Sequence, residues 1–319
     1  MAEIMWRSAV GVSEIEASLE AVEICMHRAL FPESSLLRQA QVTARSAAHY
    51  HLSAGGSRVR ARLAVAASLA LGLSKADAVH IASCAELLHN ASLVHDDIQD
   101  RDVIRRGQVA VWSKYGSNMA ICTGDLLLSA AYSVLCRFSQ PLFLPAMLAL
   151  VHQRAAVAID GQCADLAASI GQSEGLPAYL RIATAKSGAL FSLPLELALL
   201  AAEHANAATM ARRSCENLAV SYQILDDLRD FQTDGAAGKH CTNETQNLNI
   251  IFVLLNSNDQ KLLVSRAQAI TLAKELAHEY LTLCEGQALQ LPRKSGAQIL
   301  SLSAELRGLL SVQARNLSC

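Results

Sequence analysis

Apolar residues recur three and four positions apart along most of the chain, which is the spacing of one face of an α-helix. One run shows the pattern clearly, because Leu87, Ala91, Val94 and Ile98 repeat with polar residues between them. Runs of β-branched residues with the alternating pattern of a strand are scarce. The pattern predicts an all-α fold of about ten helices, several of them longer than about twenty residues.

Start and stop signals divide this pattern into separate helices. Ser13 with Glu16, and Ser74 with Asp77, have the spacing of a capping box, which satisfies the first free N–H groups of a helix. Turn residues lie between the predicted helices, at Pro32, Gly55–Gly56, Gly116, Pro141, 171–177, 235–238 and Leu291–Pro292. No linker, repeat or change of composition separates two halves, so we predict a single helical domain over residues 1–319.

Composition and charge exclude several classes of protein. Apolar residues make up 52% of the chain and charged residues 18%, which is ample for a buried core and excludes disorder. The net charge of −2 excludes a global basic field of the kind that binds nucleic acid. Nine cysteines without a CxxC pair argue against a disulfide framework and a Cys-rich zinc site. Any phosphate binding must therefore be local.

The longest stretch without a charged side chain runs from Phe138 to Gln153. It is shorter than the roughly 18–20 apolar residues that a spanning helix needs, and it contains Pro141 and Pro145. The first residues lack the apolar segment of a signal peptide and the acid-poor character of a transit peptide. We therefore expect a cytoplasmic protein without a membrane span.

Two acidic clusters share the pattern DDxxD, and both follow apolar helical stretches. The first consists of Asp96, Asp97 and Asp100, and the second of Asp226, Asp227 and Asp230. On a helix, the first and last Asp of each cluster lie one turn apart on the same face. Carboxylates this close repel one another and disfavour the helix, whereas Mg²⁺ requires oxygen ligands of this kind.

Polar stripes extend the two clusters along their helices. The first stripe is His89, Ser92, Asp96 and Asp100, and the second is Ala219, Gln223, Asp226 and Asp230. Magnesium usually keeps coordination positions for water and phosphate oxygens, so the ligand indicated is a diphosphate between two acidic helices. Cations that could balance it lie near the clusters in sequence: Arg58, Arg60, Arg105, Arg106, Lys186 and Lys239.

At these residues the chain resembles the trans-isoprenyl diphosphate synthase (polyprenyl synthetase) family over almost its whole length. The motifs that carry the resemblance are 55–60, 86–97, 105–107, Gly124–Asp125, 161–165, Lys186–Ser187 and 222–227. The resemblance implies an all-α fold of the isoprenoid synthase type, with a single large helical bundle around a deep central cavity. It also implies a homodimer that elongates an allylic diphosphate with isopentenyl diphosphate.

The resemblance further implies a role for each matching residue. The six aspartates of the two clusters would hold Mg²⁺, three ions when diphosphate is bound, against the allylic diphosphate. Arg105, Lys186 and Lys239 would stabilise the departing diphosphate. Ser187, the Lys186 carbonyl and Gln223 would present oxygen dipoles to the allylic cation. Isopentenyl diphosphate would be bound by Arg58, Arg60, His89 and Arg106.

Among the departures from the family pattern, one keeps another function open. Ser57 stands where the family usually has a Lys, and Trp112 stands where many relatives have a His. A terpene cyclase, or a prenyltransferase with a different acceptor, would relax the isopentenyl site, and Ser57 is the one feature that favours it. A non-catalytic synthase subunit would be expected to lose an acidic motif, and this chain keeps both.

Product length is predicted from the residues one turn before Asp96. In the family, bulky aromatic residues at the positions of Ala91 and Ser92 stop growth at C15 or below, and both side chains are small here. Tyr132, on the following long helix, could then form the floor. We predict geranylgeranyl diphosphate (C20), with a longer-chain polyprenyl diphosphate as the alternative.

Overall fold

The protein is seen in a computed structural model that describes residues 12–31, 42–168, 175–236, 249–255 and 264–315. The first half contains α1 (Val12–Leu30), α2 (Ala44–Ser53), α3 (Val59–Leu71), α4 (Lys75–Gln99), β1 (Ile104–Arg105), β2 (Gln108–Val109), α5 (Val111–Tyr115), α6 (Ser117–Leu135) and α7 (Leu144–Ala168). The second half contains α8 (Leu176–Ala183), α9 (Ala189–Ala201), α10 (Ala208–Ala236), α11 (Ile250–Leu255), α12 (Arg266–Ala288) and α13 (Ala297–Arg315). The predicted all-α fold is confirmed.

The chain contacts group the protein into two compact units. The first comprises Met1–His152, Leu193–Ala205 and Arg293–Ser295, and α4 packs there against α1, α3 and α6. Leu87 and Val94 of α4 are fully buried and Ala91 nearly so, as the apolar pattern of that helix predicts. The same packing leaves His89, Ser92, Asp96 and Asp100 partly exposed on the other face.

The second unit comprises Gln153–Ser192, Asn206–Pro292 and Gly296–Cys319. Here α10 packs against α12 and against a π-helical segment, Thr184–Gly188, between α8 and α9. A π-turn accommodates one extra residue in a helix, and such turns are frequent at functional sites. Lys186 and Ser187 both lie on this segment.

The start signals were correct at one helix and wrong at another. Ser74 is the N-cap of α4, where its hydroxyl accepts from the N–H of Asp77 at 3.1 Å. Ser13 lies inside α1 (Val12–Leu30), so its capping-box prediction is wrong. The spacing of a hydroxyl and a carboxylate cannot by itself exclude a helix that starts earlier. The predicted turn at Pro32 lies outside the described residues.

Three helices are long and apolar enough to cross a membrane by length and composition alone. They are Ser117–Leu135, Pro141–Ala167 and Leu176–Ala201. In the most apolar 18-residue stretch of each helix, the protein buries 44%, 17% and 72% of the residues, respectively. Core packing accounts for most of the apolar surface of the last helix. It leaves most of Pro141–Ala167 uncovered, including Ile159, which is 59% exposed.

Candidate active site

The first acidic cluster lies at the C-terminal end of α4. This end of a helix carries partial negative charge, so three carboxylates there favour a bound cation. Asp97 is fully buried, and its Oδ1 accepts from Nε of Arg105 at 2.7 Å. Burial raises the pKa of Asp97, and Arg105 opposes that rise. The other oxygen of Asp97, Oδ2, is buried without a hydrogen-bond partner.

A short β-hairpin follows the first acidic cluster, and it contains Arg105 and Arg106. Ile104 pairs with Val109 and Arg105 with Gln108, and the turn residues Arg106 and Gly107 both have positive φ. This geometry is that of a tight two-residue hairpin turn. Arg105 is held by Asp97 and Asp102, the latter at 3.0 Å. Trp112 supports the same loop, because its indole N–H donates to the Asp102 carbonyl at 2.7 Å.

Two of the arginines predicted to bind isopentenyl diphosphate, Arg58 and Arg106, have different partners. Arg58 is ion-paired with Glu23 and lies 3.7 Å from Glu86. Arg106 donates to the Gly55 carbonyl and to Oδ1 of Asn90, the latter at 3.2 Å. In the part of the chain that the structure describes, Arg106 forms no ion pair with a carboxylate. Arg106 is therefore the arginine better placed to bind an anion than Arg58.

His89 lies among these cations. Burial lowers its pKa well below the usual value, and Arg60 and Arg106 lower it further. The neutral ring lies on the polar stripe of α4, as predicted, and Ser57 is exposed on the turn before α3. Arg60 and Arg106 thus place positive charge close to His89, and all three residues belong to the first unit.

The second acidic cluster lies on α10, and here too the middle aspartate is buried while the first and last are more exposed. Asp227 is buried, and it accepts from the Tyr179 hydroxyl at 2.8 Å, the Gln223 amide at 2.9 Å and the Ile250 N–H at 2.9 Å. Asp226 and Asp230 are more exposed. Burial raises the pKa of both Asp226 and Asp227 to about 6. The environment of this cluster therefore favours protonation or a bound cation.

The π-helical segment orients Lys186 within the second unit. The Lys186 ammonium donates to Asp165 at 2.7 Å, and Asp165 is 5% exposed. A Cβ built on Gly161 would lie 2.8 Å from the Cα of Lys186, so only glycine fits where α7 passes this segment. Ser187 is partly exposed. Lys239, the remaining predicted phosphate ligand, lies outside the described residues.

The predicted product-length residues lie on α4 and α6. Ala91 is buried, and Ser92 is partly exposed with its hydroxyl donating to the His89 carbonyl at 2.8 Å. Tyr132 is partly buried, which raises its pKa, and the Cys84 thiol of α4 contributes to that rise. Tyr132 lies on α6, which packs against α4, and Cys84 of α4 precedes Asp96 by about 18 Å of helix.

Sequence reasoning missed the residues that hold the predicted ones. Tyr179 donates to Asp227, His51 lies within hydrogen-bond distance of Asn90, and Asn90 accepts from Arg106. Neither Tyr179 nor His51 belongs to a motif that the sequence analysis identified. Asn90 and Gly161 lie inside the family motifs 86–97 and 161–165, and membership of these motifs was the sequence signal that could have identified them. Nothing in the sequence around Tyr179 distinguishes it from a core aromatic residue.

Comparison with known proteins defines the class. The polyprenyl synthetase family model matches residues 41–262, and the chain belongs to this family. A (2E,6E)-farnesyl diphosphate synthase of Mycobacterium tuberculosis is 34% identical over 174 residues, covering 54% of this chain and 48% of the relative. A geranylgeranyl pyrophosphate synthase of Geoglobus acetivorans is 32% identical over 198 residues, covering 60% of this chain and 61% of the relative. The chain thus spans about half to three fifths of the length of these relatives.

A solved structure shows the fold in full. The geranylgeranyl pyrophosphate synthetase of Pyrococcus horikoshii matches with a TM-score of 0.78 at 24% identity, over 92% of this chain and 97% of that one. The likeness establishes the isoprenoid synthase fold. The relatives carry the names of both farnesyl and geranylgeranyl synthases, so similarity alone does not assign a product length.

Proposed function

We propose that the protein is a Mg²⁺-dependent trans-prenyltransferase that joins isopentenyl diphosphate to an allylic diphosphate, with geranylgeranyl diphosphate as the main product. One observation carries the proposal: both DDxxD clusters divide in the same way. The second Asp is buried and held by protein groups, while the first and last stay partly exposed one helical turn apart. A solvated acidic face would not need a buried anchor in each cluster.

The residues present fit magnesium. All the candidate ligands are carboxylates, which Mg²⁺ prefers, and Asp97 keeps one buried oxygen without a partner. Among the described residues, no group of three His, Cys, Asp or Glu side chains is arranged to hold an ion alone. Mg²⁺ commonly takes its remaining oxygen ligands from water and substrate phosphate. When bound, the metal would offset the negative charge that grows on the leaving diphosphate.

The chain's own residues then support ionisation of the allylic C–O bond. The Lys186 ammonium adds positive charge for the departing diphosphate. The Gln223 amide nitrogen donates to Asp227, which leaves its carbonyl oxygen to face the allylic cation, together with the Ser187 hydroxyl and the Lys186 carbonyl. Arg106, His89 and Arg60 bind the diphosphate of isopentenyl diphosphate, whose double bond attacks the cation. Proton loss to the released diphosphate restores an alkene.

The C20 product is supported by a length along α4. Extended chains advance about 1.2 Å per bond, so four isoprene units of four bonds each extend about 19 Å. Cys84, whose electrostatic effect reaches Tyr132, precedes Asp96 by twelve residues, or about 18 Å of helix. Ser92, one turn before Asp96 on nearly the same face, has a small side chain, and so does its neighbour Ala91. We infer that the tail grows along α4 until it reaches Tyr132.

A second copy of the chain is the proposed partner. Only 17% of the apolar 18-residue stretch in Pro141–Ala167 is buried, and Ile159 in this helix is 59% exposed. Exposed apolar surface on this scale usually marks an interface. We infer a homodimer in which this helix is covered.

Product analysis tests the proposal. Purified protein is incubated with Mg²⁺, labelled isopentenyl diphosphate and each allylic diphosphate in turn, with a chelator as the control, and the products are sized. A Mg²⁺-dependent C20 diphosphate is expected. Products of C10 or C15 alone would contradict the open path along α4. A cyclic hydrocarbon, or turnover only after another synthase is added, would replace the proposal with a cyclase or a non-catalytic subunit.

A further inference from the structure

We propose that His51 and Asn90 are positioning residues for Arg106, which they hold at the Gly55–Gly56 turn, ready for the diphosphate of the substrate that carries the nucleophilic double bond. The inference rests on the proposed function, in which Arg106 binds isopentenyl diphosphate. His51 lies on α2, Asn90 on α4 and Arg106 on the hairpin, so three elements of the first unit meet at one polar contact.

The orientation of Asn90 follows from its hydrogen bonds. Its side chain is fully buried, and its amide nitrogen donates to the Glu86 carbonyl at 2.7 Å. Its carbonyl oxygen must therefore point the other way, where it lies 3.1 Å from Nε2 of His51 and 3.2 Å from Nη1 of Arg106. A carboxamide oxygen has two lone pairs, so it can accept from both donors. His51 then carries its proton on Nε2.

His51 suits this role because it remains neutral. It is 3% exposed, and burial, followed by the nearby charge of Arg106, lowers its pKa to about 3. A neutral imidazole donates one N–H without adding a second positive charge next to the guanidinium. It fixes Asn90 on one side while Glu86 fixes it on the other.

Arg106 is held by close packing against Gly56 as well as by hydrogen bonds. A Cβ built on Gly56 would lie 2.8 Å from Cζ of Arg106, so the guanidinium rests directly against the turn where a side chain would otherwise stand. Its described acceptors are the neutral oxygens of Gly55 and Asn90. Arg58 on the same turn is neutralised by Glu23 instead. The cation is thus fixed in place while its charge remains available for an anion.

Fixing an arginine before the ligand arrives lowers the entropy lost on binding. Loss of the His51 donor should let Asn90 rotate and should loosen one of the two contacts on Arg106. The effect should fall on the affinity for isopentenyl diphosphate. The affinity for the allylic substrate and kcat should stay nearly unchanged, since Arg106 does not contact the reacting carbon in this proposal.

The test compares His51→Leu, which removes the donor, with His51→Gln, whose amide N–H can replace Nε2–H. Leu52→Ala is the matched control, because Leu52 is buried on the same helix and its side chain lies outside this contact. Titration calorimetry measures the Kd for isopentenyl diphosphate, steady-state kinetics give both KM values and kcat, and thermal melting reports folding. If His51→Leu does not fold, Asn90→Ala takes its place with the same expectation.

We expect His51→Leu to raise Kd and KM for isopentenyl diphosphate about five- to tenfold, since one buried hydrogen bond is lost. The allylic KM and kcat should stay within about twofold, His51→Gln should restore binding, and Leu52→Ala should lower only the melting temperature. Unchanged affinity, equal rises in both KM values, or failure of His51→Gln to restore binding would overturn the positioning role. If the affinity of the protein for isopentenyl diphosphate depends on His51 as expected but the wild type never condenses this substrate, the proposed function would be overturned and the positioning role would stand.

Discussion

In each acidic cluster, the first and second aspartates are adjacent in sequence but lie in different environments. Asp97 and Asp227 face inward and accept hydrogen bonds from Arg105 and from Tyr179, Gln223 and Ile250. Asp96 and Asp226 face outward and remain partly exposed. A change at an inward residue should therefore act on folding as well as on metal binding, whereas a change at an outward residue should act mainly on metal-dependent turnover.

The outward aspartates give the first prediction. Asp96→Asn and Asp226→Asn should each lower kcat by roughly 100-fold or more, because metal stabilisation of the leaving group contributes several kcal/mol. The helical content should be unchanged, as measured by circular dichroism. Glu305→Gln, an exposed carboxylate on α13, is the control for lost charge. Near-normal kcat in both variants would exclude these aspartates as ligands.

The buried His51 gives a prediction about pH. Its pKa is about 3 when folded and about 6.5 when unfolded, so the unfolded chain binds more protons between these values. Stability is therefore lost as pH falls below about 6.5, by up to about 1.4 kcal/mol per pH unit from this group. Urea unfolding at pH 7, 6 and 5 should show a shallower loss in His51→Gln. Equal slopes in the two proteins would show that His51 does not titrate as described.

At the scale of elements, the sequence predicted what is periodic and missed what is not. The periodic apolar pattern in α4 and α10 correctly predicted that both acidic clusters lie on helices. It also distinguished the buried face of each helix from its polar face. The strands Ile104–Arg105 and Gln108–Val109 are too short to show alternation, and one extra residue at Thr184–Gly188 leaves no local signal. The partners of Arg58 and Arg106 come from distant segments, so the sequence could not distinguish the two arginines.

The contact between α7 and the π-helical segment predicts a large effect of a small substitution. In Gly161→Ala the new methyl group would press on the backbone of Ala185 and Lys186, which should cost about 1–3 kcal/mol of unfolding free energy. Turnover should fall too, because Lys186 moves. Gly286→Ala on α12 is the matched control, since nothing lies within 4 Å of its Cβ and alanine favours helix. Urea midpoints that fall equally in both variants would argue against close packing at Gly161.

Product length is set by helices rather than by single groups. Ala91→Phe should shorten the main product, because an aromatic ring would block the path along α4 one turn before the metal site. Tyr132→Ala should lengthen it by removing the floor beside Cys84. Tyr280→Ala on α12 should leave the product unchanged. Chromatographic sizing with excess isopentenyl diphosphate measures all three, and an unaltered product from Ala91→Phe would refute this path.

At the scale of the whole molecule, the uncovered apolar helix is the main feature that one chain leaves unexplained. Leu142 is 87% exposed and Ile159 is 59% exposed, and both belong to Pro141–Ala167. Burying such side chains contributes about 25 cal/mol per Å² of apolar area. A second copy could supply that burial, and the helix would then be part of a shared core.

Light scattering should find a species of twice the 34.1 kDa chain mass. Ile159→Glu should weaken this association by at least about tenfold, because it places a charge in an apolar interface. Leu272→Glu, at a similarly exposed position on α12, should not. A monomeric wild-type protein, or equal dissociation constants for the two variants, would rule out this surface.

The π-helical segment also has a genetic consequence. The run from Leu176 to Ala201 is helical throughout, but its two ends are out of phase by the one residue that Thr184–Gly188 adds. Deleting one codon within this segment could be absorbed by an ordinary α-helix, so the protein would still fold and be expressed. The residues on one side of the deletion would turn by about 100°, carrying Lys186 or Ser187 away from its present direction. A single in-frame deletion in this segment could therefore produce a homologous protein that keeps the fold but loses the proposed catalytic activity.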